Sequence, residues 1–324
     1  MTVRVACLSP FDEATVRGLF ADRHQVHVIL APPPPAQQAV YDACHEAHLV
    51  IADKRHRHRI DRRVLENMRN CLLIQQAAVG FETVDHRAAA ELGIAVANAA
   101  GYNKESVADL TVMMILALLR HAAHGDRLMR AGGWPREELL GRELGALTVG
   151  IVGLGNVGSA VAQRLTGFGS RLLYTDPDPS RRFQGCERRP LENLLAEADV
   201  VCIHAPLDVD TRGLFDSRGL ASMKRGAILI NAARGPIVDE AALIDALRSG
   251  QLGGAGLDVY ESEPLPLDSP LRAMDNVFLS PHAGGNTVEA EARLLDVVGA
   301  NLRRVLDGEP PLYVVNGVEA MARR

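Results

Sequence analysis

Thr148-Val149-Gly150-Ile151-Val152-Gly153-Leu154-Gly155-Asn156-Val157-Gly158 is the stretch that decides the fold of this chain. A β-branched apolar run leads into G-x-G-x-x-G, and residues 160–165 continue with helical spacing. The hexapeptide alone is a weak signal, because glycine-rich turns are common. Between a strand and a helix it becomes the dinucleotide fingerprint. The first glycine permits the tight turn, the second lets backbone approach a pyrophosphate, and the third lets helix pack on strand. Asn156 and Val157 open the helix, where backbone N–H groups meet an anion with a favourable dipole. An acid is expected at the end of the next strand, and Asp176 stands there. A carboxylate at that point accepts hydrogen bonds from ribose hydroxyls and repels a 2′-phosphate, so the expected cofactor is NAD rather than NADP.

Outward from this turn, apolar runs at 148–152, 171–175, 200–204, 227–231, 255–259 and 277–280 read as six strands. Helical segments such as 160–165, 191–196 and 240–248 separate most of them, the rhythm of a doubly wound parallel sheet. The first third has a similar rhythm, with strand candidates at 3–8, 26–30, 49–52, 71–75 and 94–97. Pro32-Pro33-Pro34-Pro35 reads as a rigid connector. Ser106-Val107-Ala108-Asp109 reads as an N-cap with an acid three residues on, opening the apolar stretch 110–119. A helix apolar nearly all round must be buried, in a core or between subunits. Gly132-Gly133-Trp134-Pro135 ends that region, and 287–306 reads as one long helix.

The 324 residues suggest about two domains. With 47% hydrophobic and 23% charged residues, a disordered or collagenous chain is excluded. Lys and Arg number 35 against 40 Asp and Glu, and the net charge of −5 argues against a protein dedicated to nucleic acid or anionic membrane. The longest apolar run, 110–119, is too short for the about 20 residues a bilayer requires. Arg4 interrupts the start, which does not read as a signal peptide. Cys7, Cys44, Cys71, Cys186 and Cys202 lack C-x-x-C spacing and read as free thiols in a reducing, cytoplasmic compartment. The pairs His45/His48, His56/His58 and His121/His124 have no cysteine or clustered carboxylate to complete a coordination set, so no metal is expected. The basic run 54–59 has no aromatic platform and reads as a solvated loop.

Three polar residues lie near the ends of late strands, where an open α/β sheet places its ligands. Arg234 sits in Asn231-Ala232-Ala233-Arg234-Gly235-Pro236, Glu263 in Asp258-Val259-Tyr260-Glu261-Ser262-Glu263-Pro264, and His282 in Ser280-Pro281-His282-Ala283-Gly284-Gly285. Together with the glycine turn, these segments resemble the D-isomer-specific 2-hydroxyacid dehydrogenase family over nearly the whole chain. The resemblance implies that Arg234, Glu263 and His282 are the catalytic arginine, glutamate and histidine. It implies that Asp258 lies near the nicotinamide carboxamide, and that His204, Ala205, Pro206, Ala232, Ala233, Gly284 and Gly285 border the cofactor. The segment 78–85 is similar to the family's substrate-carboxylate loop, which implies that backbone N–H groups of Ala78, Val79 and Gly80 hold the acid.

The architecture implied is a Rossmann-type domain at 100–286 and a discontinuous, flavodoxin-like α/β substrate domain at 1–99 and 287–324. Helix 106–120 would lie at a homodimer interface. Departures from the family pattern fall at Ala78, Glu82, Asp109, Thr175 and Pro236, none of them a reacting residue. The reaction implied is hydride transfer between NAD and a D-2-hydroxy acid. Protonated His282 would supply the proton, Glu263 would raise its pKa, and Arg234 would bind the carboxylate and polarise the carbonyl. Relatives of the phosphite- or formate-oxidising type share the fold, although a glutamine usually replaces Glu263 in the formate enzymes. An NAD(H)-sensing binding protein of the corepressor type is the alternative from a different class. In relatives the loop corresponding to 54–59 borders the substrate, so its cations could favour a second anionic group.

Overall fold

Short parallel strands buried on both faces build the molecule, as expected for Val-, Ile- and Leu-rich runs covered by helices. The computed structural model describes residues 2–21, 24–31 and 37–318, so the proline run lies outside the described residues. The chain divides into two units, one running to Tyr102 and resuming at Val288, the other Asn103–Thr287.

In the first unit the strands are β1 (Val3–Cys7), β2 (Val26–Leu30), β3 (Leu49–Ala52), β4 (Leu73–Gln76) and β5 (Ala95–Ala97). All pair parallel in the order β2-β1-β3-β4-β5, the flavodoxin-type arrangement. Alternation along each strand divides the core in two. Val5, Leu49, Ile51 and Leu73 pack with Leu294, Val298 and Leu302 of helix Val288–Leu306. Ala6, Val50, Ile74 and Val96 face Val40, Val64, Leu65 and Ala88 on the other side. The helices there begin at aspartates: Asp61 and Asp85 accept from the N–H groups of Val64 and Ala88. β4 runs to Gln76 rather than stopping at Gln75, because both glutamines are fully buried yet bonded, Gln75 Oε1 to Asn301 Nδ2 and Gln76 Nε2 to Asp53 O. A polar pair inside a strand interrupts the apolar pattern without interrupting the strand.

The second unit holds β6 (Thr148–Val152), β7 (Arg171–Thr175), β8 (Cys186–Arg188), β9 (Val200–Ile203), β10 (Ala227–Asn231), β11 (Leu252–Leu257) and β12 (Val277–Leu279). Their order is β12-β11-β10-β9-β6-β7-β8, all parallel. This is the doubly wound order extended by one strand. The sequence pattern misses β8, a polar and partly exposed edge strand whose Glu187 pairs with Arg171 on β7. It also starts β11 too late, because Gly253 and Gly254 hide its beginning. A Cβ at Gly253 would come within 2.5 Å of Gly226 O, so only glycine lets the strand enter there.

The helix after the first sheet starts at Lys104, not at a Ser106 cap, and runs to Leu119. Ser106 lies inside its first turn, with its hydroxyl 2.8 Å from Thr287 Oγ1, and Asp109 pairs with Arg164 Nε at 2.6 Å. The S-x-x-D pattern therefore serves lateral contacts rather than a capping box. At His121, φ +52, the backbone turns and a second helix, Ala122–Arg130, follows at 63°. No single helix among the described residues is long and apolar enough to cross a membrane.

One buried amide ties the first unit together. Asn301, with no exposed surface, donates to Gln75 Oε1 and Leu312 O and accepts from Leu312 N–H at 2.8 Å. Asn301→Ala leaves those groups unpaired, and urea unfolding should show a loss of about 1–3 kcal/mol. A loss of under about 0.5 kcal/mol, the level of an ordinary surface change, would contradict this account.

Candidate active site

The glycine turn has the geometry its spacing implies. Gly153 sits at φ +93, and a Cβ there would lie 2.8 Å from His204 O. A Cβ on Gly158 would meet Gly153 O at 2.0 Å, which forces glycine where helix Asn156–Thr166 crosses the turn. Gly155 has nothing within 4 Å of its Cβ direction, so this side of the turn is open. Gly155 is also the N-cap and supplies no side-chain cap, so Asn156 and Val157 begin a helix whose dipole points at the open side. Asp176, just past β7, is tied to the turn, accepting from Leu154 N–H at 2.7 Å and Asp178 N–H at 2.9 Å. An anion-binding turn with an acid fixed beside it fits a dinucleotide that carries free ribose hydroxyls.

His204 follows β9, and its N–H donates to Val152 O at 2.8 Å. Both ring nitrogens are buried without a partner, and burial pushes its pKa down to about 4, so the ring is neutral near pH 7. Ala205 is buried beside it and Pro206 is exposed.

The loops after β10, β11 and β12 hold one another through backbone contacts. After β10, Asn231 is 1% exposed and bonds both ways across the turn, accepting from Ala233 N–H at 3.1 Å and donating to Arg234 O at 3.0 Å. This fixes Ala232, Ala233 and Arg234, whose Nη1 donates to Ala233 O. Gly235 comes next, and a Cβ there would fall 1.8 Å from Tyr260 O, so the two loops touch main chain to main chain.

After β12, His282 adopts φ +54, a left-handed conformation costing a non-glycine residue about 1–2 kcal/mol. Asp258 holds it there. Its backbone carbonyl accepts from His282 N–H, and its carboxylate, 2% exposed, accepts from Ala283 N–H at 2.8 Å and Gly284 N–H at 2.9 Å. Gly284 must be glycine, since a Cβ would lie 2.8 Å from Asp258 Oδ2, and one on Gly285 would meet Asn103 Nδ2 at 2.9 Å. Asp258 thus uses its carboxylate to shape the histidine loop, whatever further contact it makes with a ligand.

His282 Nδ1 lies 2.7 Å from Glu263 Oε2, and Glu263 Oε1 accepts from Tyr260 N–H at 3.1 Å. The two side chains are 44% and 37% exposed, so a ligand can reach them. The bond to Glu263 raises the His282 pKa against the opposing effect of burial, with the charges of Glu263 and Asp258 adding to the rise and Arg234 opposing it. Burial works to raise Glu263, but the bond and charge of His282, the Tyr260 N–H and Arg234 bring it below the usual glutamate value. An imidazolium held charged beside a carboxylate and within electrostatic reach of a guanidinium can protonate a developing alkoxide.

Sequence reading did not single out Asn231, Gly235 or Tyr260. The signal available was a polar residue closing an otherwise apolar strand, Ala227–Asn231, directly before an arginine. In the first unit, Ala78 and Gly80 are buried and Val79 is 37% exposed. Ala99 N–H donates to Ala78 O, and Asn98 Nδ2 to Val79 O at 2.7 Å, so the carbonyls of this loop are engaged within their own unit. In the basic run, Lys54 Nζ is 2.6 Å from Glu291 Oε1 and lies over the Phe11 ring. The backbone of Arg55 and Arg57 and the ring of His58 converge on buried Asp53.

Comparison with known proteins agrees with this geometry. Residues 112–284 match the model of the D-isomer specific 2-hydroxyacid dehydrogenase, NAD binding domain. A glyoxylate reductase of Korarchaeum cryptofilum is 40% identical over 264 residues, covering 79% of this chain and 80% of that protein. A D-3-phosphoglycerate dehydrogenase of Mycobacterium leprae is 41% identical over 253 residues, 77% of this chain and 48% of that longer protein. The structure of an NAD-dependent formate dehydrogenase from Staphylococcus aureus, in complex with NAD, superimposes with a TM-score of 0.83 at 31% identity, covering 96% of this chain and 97% of that one. The chain belongs to the D-isomer specific 2-hydroxyacid dehydrogenase family and is an NAD-dependent oxidoreductase that interconverts 2-hydroxy and 2-keto acids.

Proposed function

We propose that this chain reduces small 2-keto acids carrying a single carboxylate, with His282 as the proton donor, to D-2-hydroxy acids. The observation that carries the reading is the 2.7 Å contact between His282 Nδ1 and Glu263 Oε2, which favours the charged imidazole and raises its pKa. Because Nδ1 is engaged by the carboxylate, Nε2 is the atom that gives the proton to the substrate oxygen. The planar guanidinium of Arg234 binds the substrate carboxylate and polarises the carbonyl in one geometry. The glycine turn and Asp176 would hold NADH, whose chemistry would be hydride donation to the carbonyl carbon. One proton from His282 then completes the hydroxy acid, and in the oxidative direction neutral His282 takes it back. Backbone N–H groups of Ala78, Val79 and Gly80 are the donors we assign to the substrate carboxylate, and the carbonyls of Ala78 and Val79 already have partners.

A second anionic group on the substrate finds little support. Lys54, the one partly buried cation of the basic run, is neutralised by Glu291, and Arg55, Arg57 and Arg59 are exposed and screened. The similarity to glyoxylate reductases points the same way. Five free cysteines suit a cytoplasmic, reducing compartment. For assembly, an apolar groove of about 870 Å³ on helix Lys104–Leu119 includes Met113 and Phe168, which are 40% and 42% exposed, together with Phe278. A second copy of the chain is the partner we assign to it. Met113→Glu should convert a dimer to a monomer by light scattering, and a wild-type monomer would remove the assignment.

Two measurements test the chemistry. With NADH, glyoxylate should be reduced with higher kcat/KM than phosphohydroxypyruvate, by about tenfold or more, since a charge-assisted contact contributes about 1.5–3 kcal/mol and none is built for the phosphate. The reverse order would restore the dianionic reading.

His282→Ala should lose about 10²–10⁴-fold in kcat while still binding NADH. Glu263→Gln removes the charge that raises the His282 pKa. His282 then deprotonates at lower pH, so reduction loses its high-pH activity earlier and oxidation extends to lower pH. An unaltered pH profile in Glu263→Gln would take the glutamate out of the mechanism.

A further inference from the structure

We infer that Tyr260 is a positioning residue for the Glu263–His282 pair, its phenol tying the loop that carries the carboxylate to the loop that carries the imidazole. The inference rests on the assignment of His282 as the acid and adds to it a residue that acts through Glu263 and the backbone of the site loops. Tyr260 contacts all three site loops through different atoms. Its N–H donates to Glu263 Oε1 at 3.1 Å, leaving Oε2 to face His282. Its carbonyl lies against Gly235, directly after Arg234. Its hydroxyl is 2.8 Å from Ser280 O and 3.1 Å from Leu257 O. A phenol has one proton, so the shorter contact, to Ser280, is the principal bond.

Ser280 stands two residues before His282, in a loop whose left-handed turn already carries strain. The aromatic ring is 7% exposed and packs with Leu257, Leu265 and Leu271, so it cannot swing away. Burial, with the nearby charge of Asp258, pushes the hydroxyl pKa up to about 12, which keeps it a donor at any working pH. A phenylalanine at this position fills the same volume but leaves the Ser280 carbonyl, in a residue 7% exposed, without its donor. The segment from Ser280 to His282 then loses its side-chain anchor to the loop after β11, while Ser280 N–H stays bonded to Leu257 O and Asp258 still shapes the far side of the loop.

Tyr260→Phe is the test, because it alters distance and not charge. The charged groups facing His282, namely Glu263, Asp258 and Arg234, all remain. In the full-length protein, the His282 titration followed by NMR should move to lower pH, as the carboxylate supports the imidazolium less well. With NADH and glyoxylate, the high-pH limb of reduction should move down in step. The kcat should fall about tenfold, with KM for NADH within about twofold, since a small misplacement of the acid is felt in the transition state. Tyr174→Phe removes another buried hydroxyl of the same unit, one that donates to Arg181 O, and should leave the His282 titration in place.

A His282 titration unmoved in Tyr260→Phe, whether or not kcat falls, would show that the hydroxyl only stabilises the fold. If wild-type protein reduces no 2-keto acid, the proposed function fails. The NMR titration, which needs no substrate, still decides the role of Tyr260.

Discussion

Everything in the site depends on the parallel register of three neighbouring strand ends. Asn231, Leu257 and Leu279 are paired across β10, β11 and β12, so the chain leaves the sheet at one level in three adjacent places. Arg234 follows Asn231 and His282 follows Leu279 by the same short step, and the Glu263 loop rises between them from Leu257. A parallel sheet has all its carboxyl ends on one edge, so the three candidate reacting groups can be gathered without any long loop to order. Gly235 allows the first two loops to meet backbone to backbone, and the turn of Asp258 links the second to the third.

The side chains proposed to react and the side chains that hold them divide by burial. Asn231 and Asp258 are almost wholly buried, and each satisfies backbone donors that would otherwise be stranded at the end of a strand. A carboxylate in that setting is stabilised by the N–H groups around it and becomes a rigid part of the loop. His282 and Glu263 remain partly exposed, where solvent and substrate can exchange with them. The left-handed backbone at His282 is tolerated because the N–H groups of three successive residues, His282, Ala283 and Gly284, all end on Asp258.

Features with an intrinsic backbone requirement were readable from sequence. Gly153 needs φ +93 and Gly158 admits no Cβ, so their spacing reports directly on the turn. The apolar strands β6 and β10 appear with the bounds their patterns suggest, because both faces are covered and the pattern has no competitor. Where polar residues make the structure, the pattern fails. β8 is held by ion pairs at a sheet edge, and β4 extends into two buried glutamines. The Ser106–Asp109 spacing misleads because local capping and lateral bonding use the same residue types. Within the site, Arg234, Glu263 and His282 stood out as polar residues near strand ends whose segments resemble the family, whereas Asn231 acts on the backbone of its own turn and Tyr260 on the backbone of distant loops. No one-dimensional spacing reveals such contacts.

The bonds described around Arg234, Glu263 and His282 come from residues within the one unit, from Asn231 to Gly284. The contacts described around the proposed acid and base therefore lie within that segment. In the first unit the run 54–59 is organised around the buried carboxylate of Asp53 rather than around a ligand, with Lys54 neutralised by Glu291. Lys54 and several backbone N–H groups of this loop are committed internally, whereas the guanidinium groups of Arg55, Arg57 and Arg59 face solvent. The proposed preference for substrates with one carboxylate agrees with the commitment of Lys54 to Glu291, and releasing Lys54 would be the first requirement for that side chain to hold any other anion.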